Sequence, residues 1–381
     1  MRPRGTIKSR SPGSYRIRYS LGRDPVSGKR RFGSTTVRGT RKEAEQELIR
    51  RLRAVDTDEH PEPSRMTVAD WLRLWVNTTR TEVSPKTHER YAEIVRVYLI
   101  PALGSIRLQR LRSTDIQKAY NGFERKPSPR TRRHIHRILK SALARAVEQQ
   151  ALSRNPADAL KRLPKVERKP VTVLNVEEAQ TFLRSIRHTT TYWPVLAALA
   201  TGMRRGEILA LRWKNVDLDR GAVRVVQSLE QTKAGLRFKS TKTDKGRAVT
   251  LPAFALGELW RWKRQQAEEL LALGVRQNGE SLVCGRQDGE PKQPASLTHE
   301  FTYLIQRAKV PHVRFHDLRH SHATQLLLAG VHPKIVQERL GHATITITMD
   351  LYSHVSETMQ GDAASKLDEA YGVGDHFGVQ R

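Results

Sequence analysis

His316-Asp317-Leu318-Arg319-His320-Ser321-His322-Ala323-Thr324 is the stretch on which the reading of this 381-residue chain turns. Leu340-Gly341-His342 and then Tyr352 follow it, and Thr201-Gly202-Met203-Arg204-Arg205-Gly206-Glu207 lies far upstream. His316 and Arg319 are three apart, so on one helix they project from the same face and can reach one ligand. Gly341 marks a helix end, which places His342 in the turn beyond it. The ten residues from there to Tyr352 suffice for a further helix that carries a phenol back. Together these groups read as a phosphoryl-transfer site.

A tyrosine hydroxyl has an ordinary pKa of about 10 and is a poor nucleophile near neutral pH. It needs a base to accept its proton and cations to stabilise charge on the phosphate. Arginine serves the second need best, because its planar fork donates paired hydrogen bonds to phosphate oxygens while remaining charged. Arg204 and Arg319 are the candidates for that clamp, and His316 for the base. His342 is placed to donate to another phosphate oxygen. The departing 5′ oxygen needs a proton, which a lysine on a hairpin can supply. Lys242, in Ser240-Thr241-Lys242-Thr243-Asp244-Lys245-Gly246-Arg247, is the first choice and Lys245 the second. Taken singly, each of these residues fits a structural role as well as a chemical one; their joint order and spacing favours the chemistry.

The rest of the chain suits a polyanionic partner. Its formal net charge is +29, far beyond what solubility requires, which makes nucleic acid the leading candidate. Residues 1–56 carry 16 Lys/Arg against 5 Asp/Glu and residues 65–170 carry 24 against 9, whereas residues 171–381 carry 28 against 22. Grip is therefore expected mainly in the first half and chemistry in the second. The single cysteine, Cys284, rules out an intramolecular disulfide framework and a cysteine-rich zinc module. The expected setting is cytoplasmic, with no membrane partner: there is no apolar run of about 20 residues and no signal-peptide core.

Local patterning gives a multidomain chain, mainly α with small antiparallel β-sheets. Alternating runs over 14–20 and 29–37 around a turn at Asp24-Pro25-Val26-Ser27-Gly28 predict an N-terminal antiparallel sheet. Thr40 and Glu43 form a capping box that opens a helix to about Arg53. Arg16 and Arg18 share one strand face, suited either to a DNA groove or simply to solvating a half-buried sheet. After the acidic segment 57–64, Thr67 and Asp70 cap a helix, Ser84-Pro85 opens one over about 86–99, Ser113-Thr114-Asp115 a shorter one, and Ser128-Pro129 a long basic one. A basic, proline-marked connector over 163–171 leads to the third region. There Asn175 and Glu178 cap a helix, and an apolar helix over about 192–200 ends at Gly202. Strands near 222–229, 236–241 and 247–251 form one small sheet, and helices follow near 253–273, 298–309, 316–329, 333–339 and 345–354.

The Thr-Gly-Met-Arg-Arg-Gly-Glu, His-Asp-Leu-Arg-His-Ser-His-Ala-Thr and Leu-Gly-His…Tyr-Ser-His boxes resemble those of the tyrosine recombinases, specifically the integrases of phages and integrative elements. The resemblance spans about 171–360. It implies a mixed α/β catalytic domain over 171–370, with Arg204, Lys242, His316, Arg319, His342 and Tyr352 as its catalytic set. It further implies a helical, SAM-like core-binding domain over 65–165 and a three-stranded sheet plus helix over 1–56 as an arm-type DNA-binding domain. The implied activity is site-specific recombination through a 3′-phosphotyrosyl intermediate, needing no cofactor and no metal, for integration or excision of a mobile element. The implied partners are double-stranded DNA at core and arm-type attachment sites, further copies in a homotetramer, and accessory DNA-bending or excision factors, with the protein associated with the nucleoid.

Three rivals accompany this reading. A DNA-binding regulator with an inactive domain would form no covalent adduct, and a type IB topoisomerase would relax DNA without joining two marked duplexes. A metal hydrolase is suggested by the crowding of His312, His316, His320 and His322, but His-Glu-x-x-His is absent and no carboxylate or cysteine completes a ligand set.

Overall fold

A computed structural model describes residues 5–23, 30–56, 64–123, 126–167, 171–240 and 246–352, together with positions 361, 364, 365, 367, 368 and 371. The chain divides into two compact units, Met1–Arg168 and Lys169–Arg381.

The first unit opens with β1 (Gly5–Ser11), β2 (Ser14–Arg23) and β3 (Arg30–Arg38), an antiparallel sheet in that order. Thr40 and Glu43 then cap α1 (Arg41–Asp56) as predicted: the carboxylate accepts from Thr40 N–H at 2.7 Å, and the Thr40 hydroxyl from Glu43 N–H at 3.3 Å. α1 packs on β2, and Ile17, Tyr19 and Ala44 are buried. Strand alternation turns Arg16 and Arg18 to the other, exposed face.

A helical bundle follows, comprising α2 (Val68–Thr78), α3 (Pro85–Ile94), α4 (Ile100–Leu103), α5 (Ser113–Asn121) and α6 (Pro129–Glu148). Thr67, Ser84 and Ser128 cap α2, α3 and α6, with proline in the first turn of the last two. Trp71, Leu72, Trp75, Ile94, Leu99, Ile135 and Leu139 form part of the core, and Trp71 Nε1 donates to the Ala142 carbonyl at 2.8 Å. One expectation needs correction. The helix over 86–99 is not one regular α-helix, because it widens into a π-type turn over Val95–Leu99 before α4. Pro101 lacks an N–H, and its ring would crowd the carbonyl four residues earlier; a wider turn relieves this. α5 starts at Ser113 as expected; Arg112 is its N-cap, and the Arg112 N–H donates to Asp115 at 2.9 Å.

The second unit contains α7 (Val176–Ser185), α8 (Tyr192–Thr201), α9 (Arg205–Leu209), β4 (Val216–Asp217), β5 (Ala222–Val225), β6 (Gln227–Thr232), β7 (Gly235–Ser240), β8 (Arg247–Thr250), α10 (Ala253–Ala272), α11 (Pro294–Arg307), α12 (Asp317–Leu328), α13 (Pro333–Leu340) and α14 (Ile345–Tyr352). Two small sheets replace the single one expected: β4-β5-β8 and the hairpin β6-β7. The run over 222–229 is divided because Val225 pairs with Arg247 whereas Gln227 pairs with Ser240, so the chain changes ladders at Val226. Phe182, Phe301 and Phe315 meet edge to face at 5.5 and 5.4 Å in the core, where Leu318 anchors α12. Among the described residues no helix is long and apolar enough to cross a membrane.

Candidate active site

Each position of the α12 motif has a physical task. Asp317 accepts from Arg314 N–H at 2.8 Å and from its guanidinium at 2.9 and 2.8 Å, which fixes the entry to the helix. Ser321 accepts from Leu174 N–H at 2.9 Å and donates to the Asp317 carbonyl at 3.1 Å, tying α12 to the segment before α7. Leu318, Ala323 and Leu327 are fully buried. That leaves His316 at the N-cap and Arg319 in the first turn.

Arg319 is only 3% exposed. Its Nη1 donates to the Gly202 carbonyl at 2.6 Å and its Nη2 to the Leu340 carbonyl at 2.7 Å. Burial, then the neighbouring Arg204, pushes its pKa down to about 9, so it stays cationic at neutral pH. Gly202 is required here for two reasons: its φ of +65° is left-handed, and a Cβ would stand 2.5 Å from Leu340 and 2.7 Å from His322.

Arg204 is the N-cap of α9 and is half-buried, with its side chain 43% exposed. Its Nη2 donates to the Gly341 carbonyl at 3.1 Å, the next carbonyl after the one held by Arg319. Two arginines separated by more than a hundred residues thus grip successive peptides of one turn. Glu207 receives Arg204 N–H at 2.8 Å and Nη1 at 2.9 Å. Burial of Glu207 opposes ionisation, but hydrogen bonds and charge from Arg247 and Arg204 outweigh it and hold the carboxyl below its ordinary pKa.

The turn that both arginines grip carries His342. Gly341 ends α13 with φ +66°, and His342 N–H donates back to the Gln337 carbonyl at 3.1 Å. His342 Nδ1 lies 2.9 Å from the hydroxyl of the fully buried Thr348. Loss of water, then Arg319 and Arg204, pushes the His342 pKa down to about 4. His316 is likewise pushed to about 4, by protein packed behind its ring and then by His320, Arg319 and Arg204, although its outer side is open to solvent. Its ring meets His320 edge to face at 5.2 Å. Both histidines are therefore neutral at neutral pH.

Four of the six candidate side chains, Arg204, Arg319, His316 and His342, form this cluster. Tyr352 ends α14, which packs on α12 and α13; its backbone alone is described. Lys242 and the alternative Lys245 lie outside the described residues. Four contributors were given no part in this site from sequence: Glu207, Arg247, Arg339 and His322, the last weighed only as a metal ligand. Glu207 had a visible signal, since it stands at capping distance after Arg204 inside a motif already quoted. His322 and Arg339 had none, because their value lies in a tertiary contact. His322 Nδ1 lies 2.7 Å from the Leu199 carbonyl, and Arg339 donates Nε to His322 Nε2 at 3.1 Å and Nη2 to the Ala200 and Thr250 carbonyls at 2.9 Å each.

This fold, with a paired-arginine and paired-histidine cluster beside a helix ending in tyrosine, defines a tyrosine recombinase. The phage integrase family matches residues 172–359, and the phage integrase N-terminal SAM-like domain matches residues 67–123, together more than half of the chain. The chain belongs to the phage integrase family and is a tyrosine-type, site-specific DNA recombinase of the kind that mobile elements carry. It is 28% identical over 371 residues to the ICEBs1 integrase of Bacillus subtilis (strain 168), covering 96% of this chain and 99% of the relative. The Tn1549 transposon integrase in complex with transposon right end DNA shares the fold with a TM-score of 0.68 at 22% identity, over 80% of this chain and 99% of that one. A lambda integrase tetramer bound to a Holliday junction gives a TM-score of 0.58 at 18% identity, over 91% and 97%.

Proposed function

We propose that the chain cuts and rejoins double-stranded DNA at attachment sites through Tyr352. The phenolic oxygen attacks the scissile phosphorus while His316 takes its proton. The bond from phosphorus to the 5′ oxygen breaks, Lys242 protonates that oxygen, and a 3′-phosphotyrosyl bond remains. The 5′ hydroxyl of a partner strand then attacks this bond, releasing the tyrosine as protons return. The energy of the broken bond is retained, so the sequence of steps balances without a cofactor. Arg204 and Arg319 neutralise the charge that builds on the phosphate, and an arriving phosphate anion offsets the cationic surroundings of His316 and raises its affinity for a proton. With the Thr348 hydroxyl donating to Nδ1, His342 carries its proton on Nε2 and can donate to a phosphate oxygen.

The observation that carries this reading is the convergence of Arg319 and Arg204 on the consecutive Leu340 and Gly341 carbonyls, immediately before His342. Three motifs remote in sequence supply their phosphate-binding groups around one turn. In the same reading the division is functional: residues 1–56 hold arm-type sites, 65–165 grip the core site, and 171–370 catalyse. Assembly is a homotetramer on DNA, as the lambda integrase forms on a Holliday junction. The setting is the nucleoid, where accessory bending or excision factors act on the same DNA.

Tyr352→Phe removes only the reacting oxygen. On a nicked duplex carrying the element's own junction, it should abolish the denaturant-stable protein–DNA adduct while mobility-shift affinity stays within about twofold, as expected for a change at a surface that carries little binding energy. An adduct that survives in this variant places the nucleophile elsewhere. Lys242→Ala should recover cleavage when sulfur replaces the bridging 5′ oxygen, since a thiolate leaves without protonation; rescue of Lys245→Ala instead transfers the role.

A further inference from the structure

Arg247 stands at the start of β8, two residues beyond the segment that holds Lys242 and Lys245, and has no part in the reaction described above. Its side chain is 16% exposed and lies against Glu207, itself 4% exposed. The contact is a two-pronged fork: Nη1 donates to Oε1 at 3.1 Å and Nη2 to Oε2 at 2.6 Å. The third guanidinium nitrogen, Nε, donates to the Arg339 carbonyl at 3.0 Å, near the end of α13. On its other side Arg247 presses on the His342 turn, where a Cβ added at Gly341 would stand 3.0 Å from Nη1.

Among the described residues, both groups that aim Arg204 therefore lie against Arg247. The Glu207 carboxylate accepts from both the backbone and the guanidinium of Arg204, and without Arg247 it would be a buried anion with one cationic partner. The Gly341 carbonyl, which receives the other Arg204 nitrogen, belongs to the turn that Arg247 packs against. A lysine could not replace it, because one ammonium cannot span both carboxylate oxygens and a carbonyl in this geometry.

We infer that Arg247 is a positioning residue for strand cleavage: through Glu207 and the Gly341 turn it sets the direction of the Arg204 guanidinium, without itself touching DNA. The inference rests on the phosphate-clamp reading of Arg204. Val225 pairs with Arg247 in the β5-β8 ladder, which fixes the backbone from which this side chain projects.

The test uses the full chain and two versions of the same nicked duplex, one with the natural scissile phosphodiester and one with a methylphosphonate there. The methyl group replaces a charged non-bridging oxygen, so the second linkage has no charge for Arg204 to neutralise. Arg247→Met should cleave the phosphodiester about 100-fold more slowly than wild type, the scale of a misaimed catalytic group. On the methylphosphonate its rate relative to wild type should recover to within a few fold, as should that of Arg204→Ala. Adding Arg247→Met to Arg204→Ala should cost nothing further on the phosphodiester, because both act through one group. Should the stranded Glu207 charge prevent folding, Arg247→Met/Glu207→Gln removes it and should show the same substrate-dependent rescue.

Equal slowing on both linkages, wild-type cleavage of both, or losses that add to those of Arg204→Ala would overturn the role of Arg247 alone. Wild-type phosphodiester cleavage by Arg204→Ala would remove the clamp and this inference with it.

Discussion

Arg16 and Arg18 on the N-terminal sheet and Arg319 in the catalytic unit are the same residue put to opposite uses. The sheet arginines stand exposed, one 3.4 Å from the Ser34 hydroxyl and the other with its guanidinium carbon 4.1 Å above the centre of the Phe32 ring. Arg319 is almost wholly buried, with two nitrogens held by main-chain carbonyls. Exposed arginines can follow a polyanion's contour, and their contribution comes chiefly through released counterions. A buried, aimed arginine does no searching and needs no reorganisation when charge develops on a phosphate. Basic residues near DNA therefore divide into those for which charge suffices and those for which direction decides.

The sharpest way to break that comparison is to keep charge and change shape. Arg319→Lys should reduce covalent-adduct formation by at least about 100-fold, the scale of losing a preorganised donor to a developing charge. Arg204→Lys should follow with a smaller loss, since its side chain is the more exposed. Arg16→Lys and Arg18→Lys should leave affinity for a long duplex within about twofold, because charge number is unchanged. If the sheet variants lose as much as Arg319→Lys, the distinction between charge and direction fails.

Removing residues 1–56 separates the two regions. Recombination of a full attachment site should fall by about tenfold or more, as expected when a second linked binding head is lost. Cleavage of a short core-site duplex should remain near wild type. Binding by the isolated fragment should prefer one flanking sequence over random duplex and weaken steeply with salt. Loss of core-site cleavage on this deletion would contradict a separable module.

Acid offers a third probe. Burial, reinforced by Arg339 and opposed by the Leu199 carbonyl, pushes the His322 pKa down to about 4 from an ordinary 6.5. Its folded value lies below its unfolded one, so its contribution is fully present above pH 6.5 and is lost as pH falls towards 4. Protonation would also displace Arg339 from Nε2. The catalytic unit should lose on the order of a few kcal/mol over that window in denaturant titrations. His322→Gln, which cannot titrate, should flatten part of that slope; an unchanged slope would assign it to other groups.

The smallest expected effect belongs to Thr348→Val. It removes the hydroxyl 2.9 Å from His342 Nδ1 while keeping the buried volume. Cleavage should slow by about fivefold, equivalent to one ordinary hydrogen bond of ~1 kcal/mol. A null effect would show that the Gln337 and Gly341 geometry alone orients His342.

How much of this was legible beforehand depends on whether a contact is local. The caps at Thr40, Thr67, Ser84, Ser128 and Asn175 were readable because a cap and its partner lie three residues apart. The helices near 192–200, 253–273 and 333–339 were readable from breakers and apolar spacing. Pro101 was visible, yet the π-type turn that answers it depends on how the next helix is held. The division of the 222–229 run was hidden for a similar reason: pairing partners, rather than propensity, decide where one ladder ends and the next begins.

By itself the order of residues determined the chemistry on offer, because nucleophile, base and cations are side-chain identities at motif spacings that survive without coordinates. It determined equally the charge excess of the first half. Only the tertiary structure decided that Arg204 and Arg319 bind adjacent carbonyls of the turn before His342, that Glu207 is shared with Arg247, and that Arg339 braces His322. These contacts join residues from 17 to 137 positions apart. Their directions are set by where helices and strands pack, and a linear pattern of residue types carries no record of that.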